Sequence, residues 1–465
     1  MDKTLDAYIE KIKEEIISST CNVINIASVL DNNSKSAAAP FGENTVKALG
    51  YVLTLGKNMG FKTKNIDGKV GYIEFGSGDK LLGIIGHLDV VPANENDGWT
   101  YPPFKATISK NNIYGRGAID DKGPVIAALY AMKAVADNYK LDKRVRLILG
   151  LNEENDWHCI ERYKQTEELP SIAFSPDANF PCIYAEKTIE TIYIKQEYTT
   201  NSSLYIENIS TNNNAINVVP KYCEVILKYD NKKINNLLEK LHSIITTYNY
   251  NITITELDAS HLSIISKGTA SHAAHPELGD NAISKLILVL NELFNCYGLN
   301  IDILEYFSNY IGDDYTGKNL GINFEDESGS LTLNCAQFAI ENNQLIIGFN
   351  LRIPVTVNYN LIKDKFEKLN NNIKVCVERI QEPLYINKEN YLVKTLCNIF
   401  NEYNHSSYEP QAIGGGTYSR AFSNCISFGP QMPNAKDMCH QVDEFISIDN
   451  LIFCTKVYSE AIIKL

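Results

Sequence analysis

No run of apolar residues in this sequence approaches the ~20 that a membrane-spanning helix needs. Nor is there a cluster of lysines and arginines interleaved with aromatics, the usual footprint of a nucleic-acid surface. Charge runs the other way. There are 43 basic and 56 acidic side chains, a formal net charge of −13, which disfavours polyanionic partners. Cysteine is not scarce, at 11 residues, but the number is odd, the positions are scattered and Cys-x-x-Cys never occurs. That argues against a disulfide framework and for reduced thiols in a cytoplasm. The first 20 residues are charged and helix-periodic and show no apolar leader segment. What remains is the composition of an ordinary soluble globular protein: 465 residues, 44% hydrophobic and 21% charged. That is chain enough for two domains or one large one.

Leu5, Ile9, Ile12, Ile16 and Ile17 recur at helical spacing, which predicts a helix over residues 2–19. Residues 45–59 read as a second amphipathic helix, stopped by Gly60. The short aliphatic runs at 70–75, 81–85, 145–150 and 172–174 are bounded by turn residues and predict strands. Residues 94–104, with Trp99, Pro102 and Pro103, form a loop. The apolar-periodic segment 125–139 predicts a long helix, and Pro124 suits its first turn. From 187 to 383 the texture becomes Asn-rich, with strands expected at 215–229 and 345–351 and helices at 234–247 and 281–294. The runs Asn212–Asn214 and Asn370–Asn372 read as loop.

Chemistry-bearing residues gather where the strands end. The 81–85 run passes into His87-Leu-Asp89, and ligands of open α/β sheets bind beyond the carboxyl ends of strands. Positions two apart on a strand share a face, so a carboxylate at 89 could steady a metal-binding imidazole at 87. Next comes Gly115-Arg-Gly-Ala-Ile-Asp-Asp-Lys-Gly-Pro124, with Asp120 and Asp121 in a glycine-flanked loop at a helix N-terminus. The 145–150 run leads to Glu153-Glu154, a pair that can divide metal ligation from proton transfer. The 172–174 run leads to Ser175-Pro-Asp177. Four strand or loop ends carrying histidine or carboxylate are hard to explain as solvated surface. His440, in Cys439-His-Gln-Val-Asp-Glu444, offers a second imidazole and completes a plausible dinuclear metal set. Gly414-Gly-Gly-Thr-Tyr is a glycine-rich turn, but no Lys-Ser or Lys-Thr follows, so it is not a phosphate loop.

Taken together, these motifs resemble the M20 family of metallopeptidases, and most of all its PepV-type (Xaa-His) dipeptidases. The resemblance covers nearly the whole chain. It implies an α/β fold: a mixed-sheet zinc-peptidase catalytic domain with helices on both faces, formed by residues 1–186 and 384–465, and an inserted α+β lid domain at 187–383. It implies that Asp120 bridges two divalent ions, most simply Zn²⁺, with Mn²⁺ or Co²⁺ as alternatives. His87 and Asp177 would complete one ion, and Glu154 and His440 the other. Asp89 would orient His87, and Glu153 would be the general base. The Asp120–Asp121 peptide is cis in the family pattern and is expected to be cis here. In the lid, His272 matches the histidine that reaches the scissile carbonyl. Asn217 and Arg352 match positions that grip the substrate carboxylate, a task the guanidinium fork suits. Gly415 and Gly416 would add backbone donors. His275 falls outside the pattern and reads as an exposed polar residue.

The implied reaction is hydrolysis of unblocked dipeptides. A bridging water activated by two ions attacks the peptide, Glu153 moves the proton and His272 stabilises the oxyanion. Lid closure would bring His272 into place. A lid of this size would supply that histidine from within one chain, so a monomer is expected, without nucleic-acid or membrane partners. An M20-type deacylase or desuccinylase acting on N-acyl amino acids is the alternative, and a metal-binding scaffold without turnover is a third. A dinuclear phosphoesterase is disfavoured because the lid offers no basic cluster. Two departures from the family pattern stand out. Asn152 replaces an aspartate before the paired glutamates, and Cys439 adjoins His440; in an extended loop Cys439 would point away, the alternative being a soft third ligand.

Overall fold

The computed structural model describes residues 2–212, 214–368 and 372–465. Parts of both asparagine runs, Asn213, Asn370 and Asn371, lie outside the described residues. The chain forms two compact units. The first comprises Met1–Ala185, Leu384–Gln411 and Gly416–Leu465; the second comprises Glu186–Pro383 and Ala412–Gly415.

The first unit is built on a mixed sheet. Its strands run in the spatial order Lys62–Ile66, Val70–Gly76, Arg144–Gly150, Leu81–His87, Ile172–Ser175, Cys425–Ser427, Ile183–Glu186 and Leu384–Tyr385. The four central strands are parallel, and the flanking pairings are antiparallel. Every residue of Leu81–His87 is buried. A strand covered on both faces is therefore an unbroken aliphatic run, as this one is, not an alternating pattern. The helix Lys122–Asn138 is buried along most of its length, and it packs against Ile448–Lys464, Lys13–Ile24 and Lys3–Lys11. His87 sits opposite Gly150 in the register, and Ile84 opposite Phe174. Three neighbouring parallel strands thus finish along one edge, where His87, Glu153-Glu154 and Asp177 follow.

The second unit holds two antiparallel sheets. One orders Thr332–Glu341, Gln344–Ile353, Thr188–Glu197 and Lys374–Gln381; the other orders Leu204–Ser210, Tyr222–Tyr229, His261–Lys267 and Ile252–Glu256. They share one apolar core with the helices Leu237–Tyr248, Ala282–Asn295 and Asp302–Tyr310.

Three local expectations are revised. The N-terminal helix is two helices that break at Ile12, whose ψ of 11° leaves the helical range. The expected strand at 215–229 is regular only over Tyr222–Tyr229. Pro220 cannot donate to a ladder, and Val218 makes an isolated bridge to His272 instead. The helix expected from 234 begins at Leu237, because Asn236 takes a left-handed φ of 58°.

Gly86 shows how tightly strand and helix meet. A Cβ there would lie 2.5 Å from Asp121 Oδ2 and 2.6 Å from Val125 Cγ2. Gly86→Ala is therefore expected to cost about 1–3 kcal/mol of overpacking, read from the urea midpoint at unchanged m. An unchanged midpoint would show that the helix yields without cost.

Candidate metal centre

His87 is fully buried at the end of its strand. Its Nε2 lies 3.0 Å from Asp120 Oδ1 and 3.7 Å from Asp177 Oδ2. Its Nδ1 is 2.9 Å from an oxygen of Asp89, but that oxygen is the backbone carbonyl; the nearer carboxylate oxygen stands at 3.6 Å. The contact expected from the Asp89 carboxylate is made instead by its backbone carbonyl. The carboxylate itself accepts the amide N–H groups of Glu153 and Glu154, each at 3.1 Å. One aspartate therefore fixes the histidine with its main chain and the paired glutamates with its side chain. Trp157 Nε1 donates to the Glu153 carbonyl at 2.8 Å and closes that turn.

Asp120 occupies the middle of the cluster. While Oδ1 faces His87, Oδ2 lies 3.0 Å from His440 Nε2, and the same nitrogen is 3.1 Å from Glu154 Oε1. The Asp120–Asp121 peptide is cis. Asp121 Oδ2 accepts the His87 amide at 3.1 Å. Among the described residues, two groups have ligand atoms within 4.8 Å of one another: His87, Asp120 and Glu154, and His87, Glu153 and Asp177. Glu153, assigned from the resemblance as base, thus stands among ligand-capable atoms. Among the described residues neither Cys439 nor His440 joins these groups; His440 meets Asp120 and Glu154 pairwise. His440 has a left-handed φ of 63°, so its loop is a turn and not the extended segment expected.

Burial and like charge dominate the electrostatics. Desolvation pushes the Glu153 carboxyl well above its usual range, and does the same less strongly for Glu154. Burial works against charge on His87, but its contacts with Asp120 and Asp89 outweigh burial and raise the imidazole well above its usual range. His440 follows the same logic, with Asp120 and Glu154 raising it to about 11. Two like charges 4 Å apart repel by about 4 kcal/mol even at an effective dielectric of 20. A carboxylate-rich, nitrogen-containing donor set that needs positive charge fits divalent transition-metal ions.

The remaining predicted residues belong to the second unit, apart from Gly416. Asn217 is exposed, and its carbonyl accepts the Ala273 amide at 2.9 Å, beside His272. His272 Nδ1 accepts the Ala274 amide at 3.2 Å. Thr332 Oγ1 donates to the Ala273 carbonyl at 3.2 Å, and Thr332 pairs across the sheet with Arg352. Arg352 is buried, with Nε 3.0 Å from Asn350 Oδ1 and Nη1 2.6 Å from the Gly414 carbonyl. Asn217, His272 and Arg352 are therefore joined through one strand pair. Gly415 lies in this unit and Gly416 in the first. His275 is exposed and pairs with Glu277 at 3.2 Å.

Sequence reasoning missed Arg116 and Trp157 and gave Glu444 no role. Arg116 stands between Gly115 and Gly117, both at positive φ, and that glycine bracket was the available signal.

The fold and the cluster define a metal-dependent hydrolase. Residues 83–464 match the pattern of Peptidase family M20/M25/M40, and the chain belongs to this family. It is 36% identical over 458 residues to a Bacillus subtilis protein named "Putative dipeptidase YtjP", with 97% of each chain covered. Its fold is similar to that of human carnosine dipeptidase 1 (TM-score 0.59, 15% identity, 99% and 98% of the two chains covered). It is also similar to that of the di-peptidase Dug1p from Saccharomyces cerevisiae (TM-score 0.58, 14% identity, 98% and 97% covered). Among the described residues no helix is long and apolar enough to cross a membrane.

A divalent ion bound at His87 and His440 would have to displace a proton from each raised imidazole, so its affinity would be expected to rise with pH between 6 and 8, by roughly tenfold per pH unit for each proton released. Equilibrium dialysis against Zn²⁺ or Mn²⁺ at several pH values tests this. A flat profile would contradict the assignment of these imidazoles as ligands.

Proposed function

We propose that this peptidase is a dipeptidase acting on unblocked dipeptides, of the PepV type, with two divalent ions held by His87, Asp120, Glu154, Asp177 and His440. The observation that carries the reading is the placement of the two Asp120 oxygens, each 3.0 Å from a different imidazole. When bound, such an ion pair lowers the pKa of a shared water and polarises the peptide carbonyl. Glu153 is the general base in this reading: burial raises its proton affinity, which suits a carboxyl that must take a proton from water and return it to the leaving amine. Asp89 holds the Glu153 amide and thereby the approach of that carboxylate. His272 stabilises the oxyanion. Arg352 and Asn217 receive the substrate carboxylate, with Gly415 and Gly416 as backbone donors, so short peptides with a free C-terminus are preferred. The residue 187–383 insertion acts as the lid and supplies His272 from the same chain, so the working form is a monomer. Eleven free cysteines suit a reducing cytoplasm. Zinc fits the donor set best, with Mn²⁺ and Co²⁺ as further candidates.

A panel of free-amine dipeptides set against N-acetyl and N-succinyl amino acids, with metal-stripped protein resupplied with Zn²⁺, Mn²⁺ or Co²⁺, tests the substrate class. Metal-restored cleavage confined to free-amine dipeptides is expected. Cleavage of the acylated compounds instead would move the activity to the deacylase branch. Glu153→Ala is expected to lose turnover by at least about two orders of magnitude while retaining both ions; loss of an ion would make Glu153 a ligand. Arg352→Ala is expected mainly to raise KM, and an unchanged KM would remove Arg352 from substrate binding.

A further inference from the structure

The two halves of the metal cluster are supported very differently. His87 ends a fully buried strand, and Asp177 follows the neighbouring strand of the same sheet. His440 has no such frame. It lies in an irregular loop at φ 63°, with its side chain about half exposed. Beside the Gly115 amide, which donates to the Glu444 carbonyl at 2.9 Å, and the Tyr114–Phe445 strand pairing, a buried ion pair ties this loop to the Asp120 turn. Arg116 Nη1 lies 2.8 Å from Glu444 Oε2, and both side chains are at most 5% exposed.

Each partner of the pair also grips one segment of the cluster. Arg116 Nη2 donates to the His440 carbonyl at 3.2 Å, and Nη1 donates to the Gln441 carbonyl at 3.3 Å. Glu444 Oε1 accepts the amides of Ile119 at 3.1 Å and Asp120 at 3.3 Å. The arginine comes from the aspartate segment and holds the histidine loop. The glutamate comes from the histidine loop and holds the aspartate segment. The exchange is reciprocal, so shifting either partner changes the separation between Asp120 and His440. The Trp99 ring lies 5.2 Å from the guanidinium carbon, and its loop is anchored where Asp443 Oδ1 accepts the Thr100 amide at 2.7 Å.

We propose that Arg116 and Glu444 are a positioning pair that sets the geometry of the Asp120–Glu154–His440 ion position, leaving the Asp120–His87–Asp177 position to the sheet. The proposal rests on the dinuclear reading above. Neither residue touches substrate or ion; both act through the backbone of residues that do. It follows that the two positions have separable affinities, and that the pair controls only the one built on the loop. Lysine cannot replace Arg116, because a single ammonium cannot reproduce the planar fork that reaches a carboxylate and two carbonyls together. Glutamine cannot replace Glu444 cleanly, because one of its two ends becomes a donor facing either Arg116 or the two amides.

The test is a Mn²⁺ titration followed by equilibrium dialysis and by EPR on the full-length protein, comparing the wild type with Arg116→Lys, Glu444→Gln and Asp443→Asn. Wild type is expected to bind two ions. Arg116→Lys and Glu444→Gln are expected to keep one ion at unchanged affinity and to weaken the other by roughly ten- to a hundredfold, with loss of the exchange-coupled EPR signal of adjacent ions. Asp443→Asn, which changes the charge of the same loop but keeps an oxygen to accept the Thr100 amide, is expected to keep both. Circular dichroism identifies variants that fail to fold, and either of the first two suffices. Equal weakening of both ions, or no change in either folded variant, would overturn the proposal. A wild type that binds fewer than two ions would instead overturn the dinuclear reading beneath it.

Discussion

The structure depends on a single carboxylate shared between two imidazoles. Asp120 presents one oxygen to His87 and the other to His440 at equal distances of 3.0 Å. Around it stand Glu153, Glu154 and Asp177, in surroundings dry enough that burial raises the glutamates' proton affinity. Such a concentration of acid is unfavourable without compensating positive charge. The fold therefore has to hold these groups together against their own repulsion.

It does so by spending ordinary elements on single atoms. Three parallel strands end in register, so that residues distant in sequence meet along one edge. The helix Lys122–Asn138 brings Asp121 under that edge, where its carboxylate takes the His87 amide. Gly86 lets the helix approach so closely that no side chain would fit. Asp89 ties two of the strand ends together, with its carbonyl on the histidine and its carboxylate on the glutamate amides. Catalysis by preorganised groups requires this kind of support, because the donors must already be in place when charge develops. In the second unit, the strand pair that carries Thr332 and Arg352 also holds the Ala273 carbonyl, next to His272.

Much of this was legible in the sequence because the relevant signals are local. An aliphatic run ending in His-x-Asp, and two more ending in acids, announce buried strands with chemistry at their tips. The expected cis peptide at Asp120–Asp121 is present, and the mixed sheet with helices about it is the architecture of the family. What was not legible is long-range or depends on the choice of atom. Spacing alone could not say that Asp89 would serve His87 through its carbonyl. Nor could it show that Arg116 would pair with a glutamate more than 300 positions away, or that Ala412–Gly415 would rejoin the second unit. The break at Ile12 and the turn before Tyr222 were missed because apolar periodicity continues through both while backbone geometry does not.

In the proposed reading, Asp120 would bridge two ions. Anomalous diffraction from crystals of the Zn²⁺- or Mn²⁺-loaded protein tests it most directly. Two peaks about 3.5–4 Å apart are expected, one beside His87 and Asp177, the other beside Glu154 and His440, with one oxygen of Asp120 on each. A single peak, or two peaks that leave Asp120 uncoordinated, would contradict it.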